Sequence, residues 1–577
     1  MCTERYVLTY NGEIYNFREI RNDLEKKGWR FNSHSDTEVL LRAFEEWGPE
    51  CLRRFRGMWA FALWDKNKEE LFLCRDRIGV KPLYWYSKDG LVLFASEIRA
   101  LCLHPRFSRN LNRAGVSMFF QYGYIPSPIS IFENVLKLEP GHYLQISRNG
   151  MSKTCYWDAK RNFTLGEGRA SAFSNRSEES ILEELESILS ESFKLRLISD
   201  VPVGVFLSGG IDSSLLTTLL LRENGTSLKT FTIGFKQPTL DESGWAKRVA
   251  SFLGTEHTEF YLEPHDARDV LLRLPEIFDE PFGDSSAIPT HLICKLARSH
   301  VKVALSGDGG DEQFCGYASY FAVEKRLRPL LHIPFKNVIA GMFKMLGTRA
   351  VYPFFSAPEI LGPQFKNLRD KYAKLGEEIG SRSPLHQYEN IEKTFFRHDL
   401  EELGINDFSN KFDFFDEAAV AGLDDVSQMM LLDQKSYLPD DILTKVDRAS
   451  MNVALECREP FLDHNILEFS SQLPIKFKLK NGISKPIFRK LLSKYLPMDL
   501  IERPKMGFSI PEHDWLRTEF SDICREYLCS DELKKGGILN SIQVRRIVED
   551  FMNGKGIGGT KVWYLLVFEM WRRKYFR

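Results

Sequence analysis

Most of the usual signposts are missing from this 577-residue chain. Its 10 cysteines include no Cys-x-x-Cys pair, which argues against a zinc site or a disulfide scaffold and fits reduced thiols. No apolar run approaches the ~18 residues a membrane helix needs. The first residues, MCTERYVLTYNG, lack a basic segment followed by an apolar core, so no signal peptide is expected. Lys+Arg number 78 and Asp+Glu 79; a net charge of −1 gives no bulk argument for nucleic acid or a membrane surface as partner. There is no internal repeat, no low-complexity tract and no G-x-x-x-x-G-K-[ST] phosphate loop. What remains is an ordinary soluble balance, 43% apolar and 27% charged, at a length that implies two or more domains, with scattered thiols that suit a cytoplasmic setting.

The positive signals fall into two blocks. Residues 1 to about 150 alternate short β-type runs (Arg5–Tyr10, Ala60–Trp64, Glu70–Cys74, Leu83–Tyr86, Leu91–Ser96) with helical patterns at Ile14–Lys27 and Asp36–Trp47. That pattern predicts sheets covered by helices. Residues 158–180 are polar and Gly/Ser-rich and read as a linker or a long surface loop. From there helix (Ile181–Leu197), strand (Val201–Leu207), helix (Ser213–Glu223), strand (Leu228–Phe235), helix (Gly244–Leu253) and strand (Thr258–Tyr261) alternate. Such alternation predicts a parallel sheet with helices on both faces and ligands at the carboxyl ends of its strands. Beyond Leu330 the chain is expected to be mostly helical.

Two post-strand loops carry the chemistry. Ser208-Gly209-Gly210-Ile211-Asp212-Ser213-Ser214 follows an apolar strand and opens a helix. Glycines let backbone N–H groups approach a ligand closely, and a helix N-terminus favours an anion, so the loop suits a pyrophosphate. Asp212 is out of place beside phosphates unless Mg²⁺ neutralises both. Ser306-Gly307-Asp308-Gly309-Gly310-Asp311-Glu312 repeats the arrangement after Val301–Leu305. Either alone could be a plain strand-to-helix turn; two in one α/β domain indicate a nucleotide site.

These residues also carry a resemblance. SGGIDSS resembles the pyrophosphate loop of the ATP pyrophosphatase superfamily. Together with DEPFGDSS, LSGDGGDE, LPDDILTKVDRASM, LECREPFLDH and RPKMGFSIP it is similar, over roughly residues 180–520, to the synthetase domain of asparagine synthetase B-type enzymes. The resemblance implies that a carboxylate, aspartate above all, is adenylated by ATP with release of pyrophosphate, and that ammonia then attacks the acyl carbon. It implies Mg²⁺ on Asp212 and Asp311. It places ATP on Phe206, Ser208, Gly209, Gly210, Asp212, Ser213, Ile233, Ser306 and Gly307, and catalytic roles on Asp308, Lys445 and Arg448. Solvated helix faces are the bland alternative for Lys445 and Arg448, and Arg448 stands where some relatives carry lysine. The segment Asp279–Ser286 is expected to be a substrate loop. The usual GGDELFGGY reads GGDEQFCGY here, placing Gln313 and Cys315 where they could alter helix packing.

The first block resembles the class II glutamine amidotransferase domain through NGEIYN, SDTEV, RFRGMWAFALWD, RDRIGVKPLYW and FASEIRAL. By that resemblance Asn11 and Gly12 form the oxyanion hole, Glu13 and Asp36 hold glutamine, and the fold is an Ntn-type αββα sandwich. The family's nucleophile is an N-terminal cysteine in an MCGI start, followed by a long stretch before NGEIYN. Here Met1–Tyr10 resembles an internal segment of the family instead, so the sandwich is expected to lack its first strands and Cys2 to be an ordinary loop residue. A strand leading into an Asn-Gly turn would set Cys2 up to ~30 Å from Asn11. The expected whole is thus two domains: an N-terminally incomplete amidotransferase (1–157), a linker (158–180), and a doubly wound parallel sheet with a pyrophosphate loop and a large helical part (181–577). Glutaminase activity is expected to be defective and the incomplete domain poorly stable, its sheet edges exposed. A relative acting on another carboxylate and a non-catalytic copy are the competing readings, and a homodimer is possible.

Overall fold

The computed structural model describes residues 1–163, 173, 175–224, 227–237, 241–348, 351–352, 367–407, 420–503 and 507–576. Much of 158–180 therefore lies outside the described residues. So do Pro504, Lys505 and Met506 at the centre of RPKMGFSIP.

The N-terminal block is built on two antiparallel sheets. Strands β1 (Tyr6–Ile14), β2 (Gly57–Asp65), β3 (Glu70–Arg75), β7 (His142–Ser147) and β8 (Gly150–Cys155) form one, in the order β1-β2-β3-β7-β8. The other is β5 (Leu91–Ala95), β4 (Tyr84–Lys88) and β6 (Val135–Lys137). Small and branched side chains (Ala60, Ala62, Leu73, Leu83, Leu138, Leu144) fill the space between the sheets. Helices α1 (Phe17–Lys26) and α2 (Asp36–Trp47) cover the first sheet, burying Leu24, Val39, Leu40 and Phe44 against Phe61, Leu63 and Phe72. Helix α3 (Arg113–Tyr122) packs Val116, Phe119 and Phe120 beside Tyr84 and Tyr86 of the second. The layers are αββα, as the resemblance implies.

The expected Asn-Gly turn is absent. β1 runs straight through, pairing Asn11 with Ala60 and Gly12 with Trp59. The glycine serves close approach rather than a turn: a Cβ at Gly12 would stand 2.2 Å from the Met58 carbonyl oxygen. The chain before β1 does double back. Cys2 bridges Val7, and Met1 and Leu8 exchange backbone hydrogen bonds.

The second block holds a five-stranded parallel sheet in the order β11-β10-β9-β12-β13. Its strands are β9 (Val203–Phe206), β10 (Lys229–Phe235), β11 (Glu256–Leu262), β12 (Val303–Leu305) and β13 (Glu456–Arg458). Helices α4 (Glu178–Leu195), α5 (Ile211–Asn224) and α6 (Ser243–Leu253) bury Leu185, Leu189, Leu216 and Val249 on one face. Helices α7 (Pro264–Ile277) and α8 (Ala287–Arg298) cover the other with Val270, Leu274 and Ile288. Among the described residues beyond Leu330 helices predominate, as expected, including a hairpin of α9 (Lys336–Leu346) and α10 (Leu368–Gly380), then α11 (Leu443–Met451) and α12 (Gly559–Tyr575). This region also returns β13 to the sheet edge, a strand too short to show a period in the sequence.

Buried ion pairs join the two blocks. Asp463, whose side chain is fully enclosed, accepts from Arg196 at 2.5 Å and pairs with Arg56 of the first block at 3.0 Å. Lys81 reaches Asp447 at 2.9 Å, and Lys137 reaches Glu280 at 3.1 Å.

Candidate active site

The order of strands places the chemistry. β9 and β12 are neighbours in the parallel sheet, so the loops leaving their carboxyl ends lie side by side. In the first loop Ser208 Oγ accepts from the Gly210 N–H at 3.2 Å and sits 3.1 Å from Ser213 Oγ, while Ser213 Oγ accepts from the Ser208 N–H. Gly209 has φ +71°, and a Cβ there would meet the Ala246 nitrogen at 2.8 Å. In the second loop Ser306 Oγ donates to Asp308 at 2.6 Å, and the turn is made by Gly309 at φ +91°. The loops touch: a Cβ on Gly310 would stand 2.7 Å from Asp212 Oδ1.

Asp212 and Asp311 converge on one cation. Lys485 Nζ donates to Asp212 Oδ2 at 2.5 Å and pairs with Asp311 as well. The lysine side chain is 3% exposed. Burial disfavours its charge, but the two carboxylates outweigh burial and the ammonium is pushed up to about 12. Lys485 was not singled out in the sequence; nothing in NGISKPIFRK marks it, and only the fold brings it 273 residues back to Asp212. Two carboxylates from two loops, held around a buried positive charge, are the donor chemistry a hard divalent cation uses when phosphate oxygens complete its shell. The residues thus fit Mg²⁺, although no cluster of three or more ligating side chains occurs among the described residues.

These loops open into a cleft of about 580 Å³. Phe206, Ile233 and Phe235 line one end, Ser208, Gly210, Asp212 and Ser213 the middle, and Ser306, Gly307, Asp308 and Asp311 the side opposite. Gly209 meets the site through its backbone, its carbonyl accepting from Arg503 Nε at 2.9 Å. At the far end stand Asp284, Ser286, Tyr317, Tyr437 and Lys445. Lys445 donates to Asp284 at 2.8 Å. Against the cost of burial, Asp284 and Asp441 hold its ammonium above the usual lysine range. Burial raises Asp308. The lysine is aimed by a π-helical turn, Leu438–Ile442, that precedes α11.

Arg448 lies elsewhere. Three residues after Lys445, it turns from the cleft to the junction of the blocks, donating to the Ser96 carbonyl at 2.7 Å and pairing with Glu97 and Asp279 at 3.4 and 3.6 Å. The segment 279–286 divides likewise. Asp279 accepts from the Ile98 N–H and Glu280 from the Ile131 N–H, both in the first block, whereas Asp284 and Ser286 face the cleft. Gln313 and Cys315 are absorbed by packing: Gln313 Nε2 donates to the Phe461 carbonyl at 2.7 Å, and Cys315 Sγ lies 3.2 Å from Met430 Sδ.

In the first block Asn11, Gly12 and Glu13 share β1, and Asp36 opens α2 behind its N-cap Ser35. Asp36 Oδ2 accepts from Tyr10 OH at 2.9 Å and from the Ile14 N–H at 3.0 Å. Burial and the nearby Asp36 charge push Glu13 up to about 7, with Arg458 at 3.9 Å opposing them. Asn11 Nδ2 donates to Ser96 Oγ at 3.4 Å. Cys2 is exposed, with Lys66 Nζ 3.3 Å from its sulfur. Because the chain doubles back, Cys2 stands opposite Val7, four strand residues or roughly 14 Å from Asn11. That corrects the ~30 Å reach expected of an extended chain, and the thiol is still far from the amide of Asn11.

A family model described as asparagine synthase matches residues 184–573, and one described as glutamine amidotransferase domain matches residues 1–157. The chain belongs to the asparagine synthase family. Its two domains are those of an ATP-using ligase with glutamine as amido donor. Glutamine-hydrolysing asparagine synthetase 1 of Bacillus subtilis (strain 168) is 33% identical over 575 residues, covering 98% of this chain and 85% of that protein. Asparagine synthetase 3 of the same organism is 27% identical over 585 residues, covering 98% and 85%. A relative named for another activity, amidase chyE of Penicillium rubens, is 27% identical over 554 residues, covering 88% of this chain and 77% of that protein.

Proposed function

We propose that the chain is an asparagine synthetase, with residues 181–577 adenylating the side-chain carboxylate of aspartate and residues 1–157 handling glutamine. The observation that carries this reading is the convergence of Asp212, Asp311 and Lys485 beside Asp308 and Lys445 in one cleft. A carboxylate is a poor electrophile and needs a leaving group. ATP with its adenine toward Phe206 and Ile233 would lay its phosphates on the 208–213 loop. There the backbone N–H groups and the start of α5 accept charge as pyrophosphate departs. Asp212 and Asp311 would hold Mg²⁺, which neutralises the leaving pyrophosphate when bound. Lys445 brings a permanent positive charge to the α-phosphorus end, where the acceptor carboxylate oxygen attacks. Ammonia then attacks the acyl carbon and AMP leaves. Arg448 acts as a positioning residue across the domain junction.

Hydrolysis of glutamine, on this reading, does not rest on Cys2, which is exposed and paired along the outer edge of β1. A second acceptor is favoured by one observation: Tyr317, Tyr437 and Ile442 give the far end of the cleft an apolar wall that aspartate does not need. ATP–pyrophosphate exchange separates the readings. Exchange that requires aspartate supports the proposal. Exchange driven only by another acid replaces aspartate as acceptor, and no exchange with any acid would make the chain a non-catalytic copy.

A further inference from the structure

Arg503 lines the cleft, yet its guanidinium is turned onto the protein. Nε donates to the Gly209 carbonyl at 2.9 Å, and Nη2 makes a longer contact, 3.5 Å, with the Ser208 carbonyl. Nη1 donates to Glu242 Oε1 at 2.9 Å, and the two side chains of this pair are 8% and 10% exposed.

The carbonyls it holds belong to the loop that suits a pyrophosphate. The Gly209 carbonyl shares its peptide with the Gly210 N–H, and in a planar trans peptide the two point opposite ways. With the carbonyl on Arg503, the Gly210 N–H faces into the loop and donates to Ser208 Oγ at 3.2 Å. Glycine on both sides leaves this peptide little steric barrier to turning over. Turned over, it would aim a carbonyl oxygen into the space where backbone N–H groups meet phosphate. The double glycine that lets the backbone come close to a ligand therefore needs an outside hold, and Arg503 is placed to provide it.

The hold is itself anchored. Arg503 follows a helical turn, Met498–Ile501, whose Leu500 and Ile501 are buried in the core that also contains Ala246 and Val249 of α6. Glu242 is the N-cap residue of α6, and Gly209 lies against the first turn of the same helix. Loop, arginine and glutamate thus rest on one element. Paired with Glu242, Arg503 adds no net charge to the cleft, so its contribution is geometric.

We infer that Arg503, held by Glu242, is a positioning residue that locks the Gly209–Gly210 peptide with its N–H side toward the pyrophosphate of ATP. The inference rests on the reading of the 208–214 loop given under the proposed function. The full chain is titrated with magnesium pyrophosphate and, separately, with AMP, which has no pyrophosphate to offer the loop. ATP–pyrophosphate exchange is run on the same samples. Arg503→Lys keeps the charge but not the planar fork. It should weaken pyrophosphate binding about 10- to 100-fold, as expected for a lost charge-assisted hydrogen bond in an enclosed site. KM for pyrophosphate in exchange should rise, while AMP affinity and KM for the acid stay at wild-type values. Glu242→Gln, which keeps Arg503 and releases its charge, should weaken pyrophosphate binding in the same direction. Were Arg503 a cation for phosphate instead, Arg503→Lys would keep pyrophosphate binding and Glu242→Gln would tighten it; either result overturns the inference. So does an Arg503→Lys protein that loses AMP together with pyrophosphate, since that is plain loss of structure. Should Glu242→Gln alone lose both ligands, Arg503→Lys decides. Wild-type protein that binds pyrophosphate but exchanges with no acid removes adenylation from the proposed function and leaves the inference standing. Wild-type protein that binds AMP but not pyrophosphate overturns it.

Discussion

Replacing Lys485 by methionine separates two roles of one ammonium: the pairing with Asp212 and Asp311 that the structure shows, and the contact with pyrophosphate that the proposed reaction gives it. Methionine keeps the length and most of the volume of the side chain, so packing is preserved while the charge goes. In the resting site Lys485 neutralises Asp212 and Asp311, and its pKa of about 12 against an ordinary 10.5 corresponds to about 2 kcal/mol of extra preference for the charged form. Without it two carboxylates face each other across a space that suits a divalent cation. Titration of the ATP-free protein with Mg²⁺ alone should therefore show affinity raised by about 30-fold, the same 2 kcal/mol expressed as a ratio. ATP–pyrophosphate exchange should move the other way and fall by roughly 10²–10³-fold, because one charge that meets the departing pyrophosphate is gone. Calorimetry and isotope exchange read the two effects on one preparation. Unchanged Mg²⁺ affinity together with exchange close to wild type would refute the assignment of Lys485 to the phosphate site.

Two further outcomes follow from the junction and the first strand. Asp463→Asn leaves the buried Arg196 without its carboxylate and Arg56 with Glu191 alone, and should cost about 3–5 kcal/mol in urea unfolding; a loss below about 1 kcal/mol would mean the pairs hold nothing together. Although burial disfavours its charge, Arg196 and Arg56 keep Asp463 well below the usual carboxylate range. Its stabilisation is therefore complete above pH ~4 and is lost as pH falls through the depressed value, a dependence that should vanish in Asp463→Asn. Cys2→Ala should leave the rate of glutamine hydrolysis where it stands in the wild type, and a rate that collapses on this change would make Cys2 the nucleophile after all.

The parallel sheet was legible because each of its first strands and helices spans enough residues to show a period. The expected helix Gly244–Leu253 is found at Ser243–Leu253, and the expected strand Leu228–Phe235 at Lys229–Phe235. Both phosphate-type loops were legible for a different reason: glycine, serine and aspartate at those positions serve backbone geometry that is local in the chain. Asn11-Gly12 misled because the same dipeptide that favours a turn also tolerates close strand pairing, and nine residues of pairing with β2 outweigh the local preference. β13 and Lys485 were illegible because neither has a local cause. A three-residue strand and a single lysine acquire their meaning only from partners more than a hundred residues away.

Arg448 carries that argument into function. As a residue type it looks like one more phosphate-site cation beside Lys445. Its contacts instead join three segments: the Ser96 carbonyl, the Glu97 carboxylate and Asp279. Ser96 is also the hydroxyl that accepts from Asn11, the residue whose amide would meet the glutamine oxyanion. Asp279 begins the segment whose later members, Asp284 and Ser286, line the ATP cleft. A displacement at Asn11 is therefore one hydrogen bond from Ser96, one more from Arg448, and five residues of buried chain from the carboxylate that holds Lys445. On the proposed reaction, the two sites are joined through a side chain that lies outside the cleft. That is why its burial and its paired acids, rather than its charge, describe what it does.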